Sequence, residues 1–518
     1  MGRSGSIRRF VGLCVLGFLT SVSQVHVVWA QPDPLATPWM GPDGGVVVHH
    51  AMAAVASPSE LEGWLVSEAA QSLKGLFANI SPADAAPGAV TASPSRREPD
   101  YFYHWVRDAA LVMSVVMDLF ERGSTSHSAS VDPFHDRGAL AHRMDQYVEF
   151  SHMNQNTRNY SGGLGEPKFH MDGSAFTGEW GRPQNDGPAL RAITLTRYAR
   201  ALLAQGGRED YVRSVLYDGK IPSQSVIKLD LEFVSHHWHE PSFDPWEETM
   251  GHHFYIKMVQ RRSLIEGAEL AETLGDVRAA GWYRSQAQGL EAEIMKHWDP
   301  QLGYFAETIE WAGGCSHKAS GLDVAVVLGA LHGSTSDHFL SPGSDQVVAT
   351  ASHLQEAFQK LYGVNQVQGL GVAIGRYPED IYDGITVGER PGNPWVLATF
   401  AFAELNYRIA QEWRGHSKIE LNSLNLPYVR SVLKDTQLAL REGFVFEKGS
   451  PDFNHLIQAI HKAGDGFMLR VKHHSPADGA LAEQMNRVSG FMQGARDLTW
   501  SYASFLTAVS ERNKAKNR

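Results

Sequence analysis

The residues best suited to acid–base chemistry lie in the run Phe243-Asp244-Pro245-Trp246-Glu247-Glu248-Thr249. Two adjacent carboxyl groups beside a tryptophan can have different pKa values, so that one holds a proton while the other is ionised. Taken alone, a Glu-Glu pair is more typical of a solvated helix start. A further carboxylate lies near the carboxyl end, in Leu481-Ala482-Glu483-Gln484.

Three other segments bring aromatic rings together with charged residues. The first of them is also compatible with a simple helix start, where Asp108 is stabilised by the positive end of the helix dipole. The Gly-rich segment is not a phosphate-binding loop, because no strand precedes it and no Gly-Lys-Ser/Thr ending follows. The segments are Tyr101-Phe102-Tyr103-His104-Trp105-Val106-Arg107-Asp108, Gly162 to Lys168 with Thr177 to Gln184, and Gly375 to Asp380 with Gly392 to Trp395.

Glycoside hydrolysis is the chemistry that needs this combination of residues. Two carboxyl groups flank the scissile bond, and one protonates the leaving oxygen while the other activates water or attacks the anomeric carbon. Tryptophan and tyrosine provide apolar platforms for the faces of sugar rings, and arginine and aspartate bind hydroxyl groups. The residues therefore favour a carbohydrate-active hydrolase.

Helices must position these motifs, since most of the chain has the apolar spacing of α-helices. The first helix is well marked, because Ser57 can cap it, Pro58 suits its first turn and Glu60 completes a capping box. Short strands are predicted only at Gly44 to His49 and Gly303 to Glu307. The other helices are predicted at 105–122, 137–152, 187–205, 222–237, 252–274, 276–297, 321–333, 346–361, 393–413, 427–440, 452–471 and 495–511.

Composition and charge narrow the class of protein. The 518 residues are 43% hydrophobic, which is enough to bury a large core and excludes a disordered chain. Lys and Arg number 46 against 57 Asp and Glu, a net charge of −11 that disfavours nucleic acid as a partner. Since no linker divides residues 50 to 511, we expect one large all-α domain, a helical toroid with a pocket built by its loops.

Residues 1–30 have the features of a secretory signal peptide. Three arginines precede the apolar stretch Phe10 to Leu19, and Val28-Trp29-Ala30 supplies a small residue at the end. An uncleaved membrane anchor is the alternative, but polar residues interrupt the apolar run after Leu19. We therefore expect export to the medium or the periplasm, with no membrane attachment after cleavage.

Signal cleavage would leave residues 31–56 as an amino-terminal lead-in and 57–518 as the catalytic domain. Cys14 is lost with the signal, so Cys315 is the only cysteine of the mature chain and no internal disulfide is expected. No room is expected for a separate carbohydrate-binding module.

The motifs resemble the glucoamylases of glycoside hydrolase family 15, particularly the fungal-type catalytic domain. They occur in the same order, and the resemblance extends from about residue 60 to the end of the chain. The matching runs are Tyr101 to Asp108, Gly162 to Lys168 with Trp180 to Arg191, Trp246-Glu247-Glu248, Gly375 to Asp380 with Gly392 to Trp395, and Arg496-Asp497-Leu498-Thr499-Trp500-Ser501-Tyr502.

The resemblance implies an all-α (α/α)6 barrel with a pocket for the non-reducing end of an α-glucan, which is cleaved with inversion to release β-D-glucose. It also implies the catalytic roles: Glu247 is similar to the general acid and Glu483 to the general base that activates water. Tyr101 is similar to the residue that helps to hold that water. No metal or other cofactor is implied, and we expect a monomer.

The remaining residues carried over by motif are substrate contacts. Arg107 and Asp108 are similar to the pair that binds the hydroxyl groups of the terminal glucose, and Arg376 and Asp380 are further contacts there. Glu248 is similar to a ligand of the next sugar. The pocket aromatics implied by the resemblance are Trp105, Trp180 and Trp395.

The sequence also departs from the family pattern. Pro245 replaces the usual aliphatic residue before Trp246, and the segment Tyr382 to Pro391 is longer than the corresponding fungal loop. These departures leave the carboxyl groups intact but bear on the outer subsites. The cysteine pairs of fungal members are missing, which makes a non-fungal source plausible.

Several other functions are weighed against this one. The same pocket could serve an α-1,6-glucan or trehalose, and family-15-like domains also occur as non-catalytic regulatory subunits. A metal site is disfavoured, because the adjacent histidines of His236-His237-Trp238-His239-Glu240 do not share a helix face. A serine hydrolase is disfavoured because no Gly-x-Ser-x-Gly sequence occurs.

Overall fold

The computed structural model describes residues 58–123, 134, 136–367, 369–434 and 436–517. The expected signal peptide, the lead-in and the predicted strand Gly44 to His49 lie outside the described residues. None of the described helices is both long enough and apolar enough to cross a membrane.

The described residues contain fourteen α-helices. A π-helical turn, Val212–Leu216, continues the short α5, and a 3₁₀ turn, Gly363–Gln366, follows α10. The helices are α1 (Pro58–Ala78), α2 (Val106–Arg122), α3 (Arg137–Asn156), α4 (Asp186–Gln205), α5 (Glu209–Tyr211), α6 (Val226–His237), α7 (Phe254–Thr273), α8 (Val277–Met295), α9 (Ala325–Gly333), α10 (Asp345–Leu361), α11 (Val396–Gly415), α12 (Leu426–Val432), α13 (Pro451–His474) and α14 (Thr499–Asn517).

Six of these helices form a closed ring. Helix α2 packs on α4, and the ring continues through α7, α9 and α11 to α14, which packs back on α2. Six others, α1, α3, α6, α8, α10 and α13, pack on the outside of this ring and alternate with the inner helices along the chain. This alternation of inner and outer helices is an (α/α)6 barrel, so the expected fold is confirmed.

The apolar residues explain which helices lie inside. An inner helix is covered both by its ring neighbours and by an outer helix, so α9 buries every residue except His332. An outer helix needs only one apolar face, and α10 has it at Val347, Ala351, Leu354 and Phe358. The sequence pattern therefore separates the two layers.

Eleven short strands connect the helices within the described residues. The largest sheet has the order β3-β4-β7, and a register shift between Met250 and His252 bends the pairing of its last two strands. The strands are β1 (His104–Trp105), β2 (Lys168–Phe169), β3 (Ser242–Phe243), β4 (Thr249–His253), β5 (Trp298–Asp299), β6 (Tyr304–Phe305), β7 (Thr308–Gly314), β8 (Lys418–Glu420), β9 (Val445–Glu447), β10 (Gln484–Met485) and β11 (Met492–Gln493).

Several predicted helices differ from the structure at one or both ends, and two of them have a clear local cause. The predicted helix 427–440 ends at Val432, because the chain leaves the helix at Leu433 and folds back, with the Arg430 side chain donating a hydrogen bond to the backbone oxygen of Leu440. The predicted helix 252–274 begins only at Phe254, because the residues before Phe254 belong to strand β4. The predicted strand Gly303 to Glu307 contains β6.

Candidate active site

A pocket of about 400 Å³ lies where the inner helices begin. Arg107 and Asp108 belong to the first turn of α2, Trp395 directly precedes α11, and Trp500 lies in the first turn of α14. Ten of the eleven site residues predicted from the sequence line this pocket: Tyr101, Trp105, Arg107, Asp108, Trp180, Glu247, Glu248, Arg376, Trp395 and Glu483.

Glu247 stands on a tight turn at the pocket wall. Its backbone N–H donates to the Asp244 carbonyl oxygen at 2.9 Å, and its φ of 69° lies in the left-handed region that non-glycine residues rarely adopt. Its Oε1 accepts hydrogen bonds from Trp105 Nε1 at 2.7 Å and from Gln184 Nε2 at 3.0 Å. No described residue donates to Oε2, which leaves this oxygen to exchange a proton with a molecule in the pocket.

Glu483 is fully buried and is held by two tyrosines. Tyr101 donates its hydroxyl proton to Oε1 at 3.0 Å, and Tyr382 donates to Oε2 at 3.2 Å. The two hydroxyl oxygens are themselves 3.0 Å apart. Burial raises the pKa of Glu483 to about 7, although both hydroxyl groups favour the ionised form. A carboxylate of this kind is a stronger base than one in water.

The Arg107 guanidinium organises the neighbouring wall. It donates to Gln184 Oε1 at 3.0 Å and to Asp186 Oδ2 at 2.8 Å, and another of its nitrogens lies 3.5 Å from Glu247 Oε1. Burial raises the pKa of Asp108 to about 7, against the lowering effect of Arg107. Asp108 therefore offers the pocket a carboxyl group whose proton can be gained or lost near neutral pH.

Arg376 joins two carboxylates across the pocket floor. It makes a bidentate ion pair with Asp380, at 2.8 and 2.6 Å, and donates to Glu248 Oε1 at 2.8 Å. The Tyr377 hydroxyl donates to the other oxygen of Glu248 at 2.6 Å. Asp380 does not line the pocket. Its carboxylate holds Arg376 instead, and the role of Asp380 as a substrate contact stays a prediction.

Aromatic rings form the rest of the wall. Trp105 and Trp180 meet edge to face with their centroids 6.1 Å apart, and Trp395 lies deeper, beside Trp246. The buried ammonium of Lys168 lies 3.2 Å from the Trp180 ring centroid and 4.5 Å from that of Trp105. Burial lowers the pKa of Lys168 to about 8. Its attraction to the ring faces fixes the two indoles in place.

Gln184 and Tyr382 were not predicted as site residues. Gln184 lies within the matching run Trp180 to Arg191, and its position just before α4 is the sequence signal that indicates a site residue. Tyr382 gives no such signal, since its partner Glu483 lies about a hundred residues further along the chain.

A second cavity, of about 1000 Å³, lies at the other ends of α9 and α11. Polar and charged side chains line it, and Trp413 is the aromatic residue among them. Among the described residues, no group of three or more His, Cys, Asp and Glu side chains is placed to hold a metal ion. The smaller pocket is the candidate active site, because it is lined by ten of the predicted site residues.

Cleavage of a glycosidic bond needs one carboxyl group that gives a proton and another that takes one. The pocket offers both, between aromatic faces suited to a sugar ring and on an (α/α)6 barrel. The arrangement places the chain among the glycoside hydrolases.

Comparisons with known proteins name the family. The model of the glycosyl hydrolases family 15 matches residues 70–510. The chain is 38% identical over 517 residues to a glucoamylase of Blastobotrys adeninivorans, covering 96% of this chain and 79% of that protein. It is 38% identical over 452 residues to glucoamylase 1 of Rhizopus oryzae, covering 87% and 71%. The structure of a glucoamylase from Saccharomycopsis fibuligera superposes with a TM-score of 0.77 at 32% identity, covering 90% of this chain and 99% of that one.

The chain belongs to glycosyl hydrolase family 15. The resemblance drawn from the motifs is confirmed.

Gly494 leaves the space that the Glu483 carboxylate occupies. A Cβ atom there would lie 2.4 Å from Glu483 Oε2, and the residue has a φ of 73°. We expect Gly494→Ala to displace the carboxylate and to lower kcat by at least about tenfold, since errors of about 1 Å in catalytic geometry cost up to 10²-fold. Initial rates of glucose release and a thermal melt measure the effect.

Gly449→Ala is the matched control, because Gly449 has a φ of 84° but open space around it. It should lose a similar amount of stability and keep its kcat. Equal kcat values for the two variants would show that Gly494 does not protect the position of Glu483.

Proposed function

We propose that this chain is an exo-acting, inverting hydrolase that releases β-D-glucose from the non-reducing ends of α-1,4-glucans such as starch, maltooligosaccharides and glycogen. The chain is a glucan 1,4-α-glucosidase, and its named relatives are glucoamylases. The mechanism rests on a contrast between two carboxyl groups. Glu247 has one oxygen that accepts no hydrogen bond from the described residues, whereas Glu483 is fully buried.

Glu247 acts as the general acid. Its Oε1 is occupied by the Trp105 and Gln184 donors, so the proton resides on Oε2 and passes to the glycosidic oxygen as the bond from the anomeric carbon breaks. The shortened glucan leaves as an alcohol. Glu247 is then ionised and regains a proton from solvent.

Glu483 acts as the general base from the opposite face of the sugar. Its carboxylate takes a proton from a water molecule while the water oxygen attacks the anomeric carbon. The Tyr101 and Tyr382 hydroxyls hold Glu483, and their oxygen lone pairs can accept hydrogen bonds from that water. Attack from the opposite face inverts the configuration.

The substrate contacts follow from which polar and aromatic side chains line the pocket. Asp108, Arg107 and Arg376 line the pocket and, in this proposal, bind the hydroxyl groups of the terminal glucose. Glu248 reaches the next sugar, and Trp180, which is 38% exposed, stands at the rim as a stacking surface. A pocket of this kind admits only a chain end, which is why single glucose units are released.

We also propose that residues 57–518 form one catalytic domain that works as a monomer after export, with residues 1–30 as the signal. The α-glucan is then the only partner the chemistry requires, and the net charge of −11 supports the absence of nucleic acid from its partners.

Glu247→Gln and Glu483→Gln test the catalytic assignment. Each variant should lower kcat on maltose by about 10²- to 10⁴-fold, because each removes a proton-transfer function. Near wild-type kcat in either folded variant would contradict its role. Glu68→Gln is the control, since Glu68 is a buried glutamate, 3% exposed, that does not line the pocket.

A substrate panel tests the linkage in the same preparation. We expect kcat/KM to be highest on maltoheptaose, to fall on maltose, and to be much lower on isomaltose and trehalose. Faster hydrolysis of isomaltose or trehalose than of maltose would replace the α-1,4 assignment by one of those specificities.

Tyr382→Phe tests the environment of the base. The Tyr382 hydroxyl lowers the pKa of Glu483, so its loss should raise that pKa and move the acid limb of the kcat/KM profile to higher pH. A lost hydrogen bond of about 1 kcal/mol corresponds to a displacement of roughly 0.7 pH units. Tyr304→Phe, which removes a hydroxyl bonded to the Ser320 carbonyl, should leave the limb unmoved. If the acid limb of the kcat/KM profile lies at the same pH in Tyr382→Phe as in the wild type, the pKa of Glu483 does not determine that limb.

A further inference from the structure

A buried cluster of charges lies behind the turn that carries Glu247. Lys318 Nζ is 2.6 Å from Asp244 Oδ2 and 3.2 Å from Asp323 Oδ2. The Lys318 side chain is 9% exposed, and the two aspartate side chains are 0% and 1% exposed. Lys318 does not line the pocket, so it has no direct access to substrate.

The two aspartates hold the turn at successive points. Asp244 Oδ1 accepts the backbone N–H groups of Glu248 at 2.7 Å and Thr249 at 2.9 Å. Asp323 accepts the indole N–H of Trp246, at 2.8 and 3.0 Å to its two oxygens. The residues on both sides of Glu247 are therefore fixed by carboxylates that share one ammonium group.

Glu247 needs this support because of its backbone. A left-handed φ of 69° in a residue with a side chain persists only where the surrounding structure holds it. The hydrogen bonds from the Glu248 and Thr249 backbone to Asp244 hold the chain directly after Glu247. The hydrogen bond from the Trp246 indole to Asp323 holds it directly before Glu247. Any rotation of the turn would carry the Glu247 carboxyl group away from its Trp105 and Gln184 donors.

Lys318 favours the ionised form of both aspartates, which is the form that accepts these hydrogen bonds best. Burial on its own would raise the pKa of Asp244, but the Lys318 ammonium lowers it to about 2. The pKa of Asp323 stays above its ordinary value, at about 6, because burial outweighs the same ammonium. Lys318 also lies 4.2 Å from the ring centroid of Tyr377, whose hydroxyl donates to Glu248.

We propose that Lys318 is a positioning residue for acid catalysis: by bridging Asp244 and Asp323 it holds the turn that presents Glu247 to the glycosidic oxygen. The proposal rests on the proposed role of Glu247 as the general acid. Lys318 lies outside the pocket, yet it contributes to one half of the reaction, the protonation of the leaving group. It has no role in the activation of water.

Measuring kcat on two substrates distinguishes this role from a general loss of folding. Maltose needs protonation of its leaving oxygen, whereas the fluoride of α-glucosyl fluoride leaves without help from an acid. Lys318→Met should lower kcat on maltose by about 10²-fold, the usual size of a general-acid contribution, and lower kcat on α-glucosyl fluoride by less than about tenfold. KM for maltose should change little, because Lys318 forms no hydrogen bond or ion pair with Arg107, Asp108 or Arg376, the proposed contacts of the terminal glucose.

Three companion variants calibrate the result. Glu247→Gln should show the same difference between the two substrates, and Lys318→Arg, which keeps the charge, should restore most of the kcat on maltose. Lys228→Met is the matched control, because Lys228 is 1% exposed, pairs with Asp276 at 2.5 Å and does not line the pocket. This variant should lose stability, but any change in kcat should be the same on both substrates. If Lys318→Met does not fold, Lys318→Gln takes its place.

The role of Lys318 would be overturned if Lys318→Met lost kcat equally on both substrates, or lost none on maltose, while Glu247→Gln still lost much more kcat on maltose than on α-glucosyl fluoride. If Glu247→Gln itself loses equally on both, the acid assignment fails, and the role of Lys318 fails with it.

Discussion

Acidic side chains are buried at one end of the helical ring, and each must be met there by a cation or by hydrogen-bond donors. Arg376 meets Asp380 and Glu248. Two tyrosine hydroxyls meet Glu483. The inner helices begin at this end, so the positive ends of their dipoles also favour negative charge there. The barrel can therefore keep carboxyl groups away from water and still control which of them hold a proton.

The helices could be predicted from local apolar spacing, whereas the barrel and most of the pocket residues were predicted through the resemblance of the motifs to family 15. Apolar spacing marks the helices, and the motif residues cluster at helix starts, which the barrel brings to one end. Contacts between distant segments could not be predicted this way. Tyr382 reaches Glu483 across about a hundred residues, and Asp380 lies behind Arg376 rather than facing the pocket. The short strands escaped prediction for the same reason, since β4 pairs with β7 about sixty residues later.

The two departures from the family pattern affect different parts of the site. Pro245 occupies the second position of the turn from Asp244 to Glu247, where proline is favoured, so the turn keeps its form. The longer segment from Tyr382 to Pro391 contributes Val387 to the pocket wall. The acid is thus presented on a turn compatible with the substitution. The segment from Tyr382 to Pro391 supplies Val387 to the pocket wall and the Tyr382 hydroxyl to Glu483.

The central claim is that Glu247 and Glu483 act from opposite faces of the sugar, and the anomeric form of the first product tests it most directly. Such a pair should stand roughly 6.5–9.5 Å apart, with room for the attacking water, and should invert the anomeric carbon. Proton NMR of maltoheptaose hydrolysis in the first minutes, before mutarotation, should show β-glucose as the initial product. Initial α-glucose would contradict the account, because it requires a nucleophile about 5–5.5 Å from the acid and a covalent intermediate.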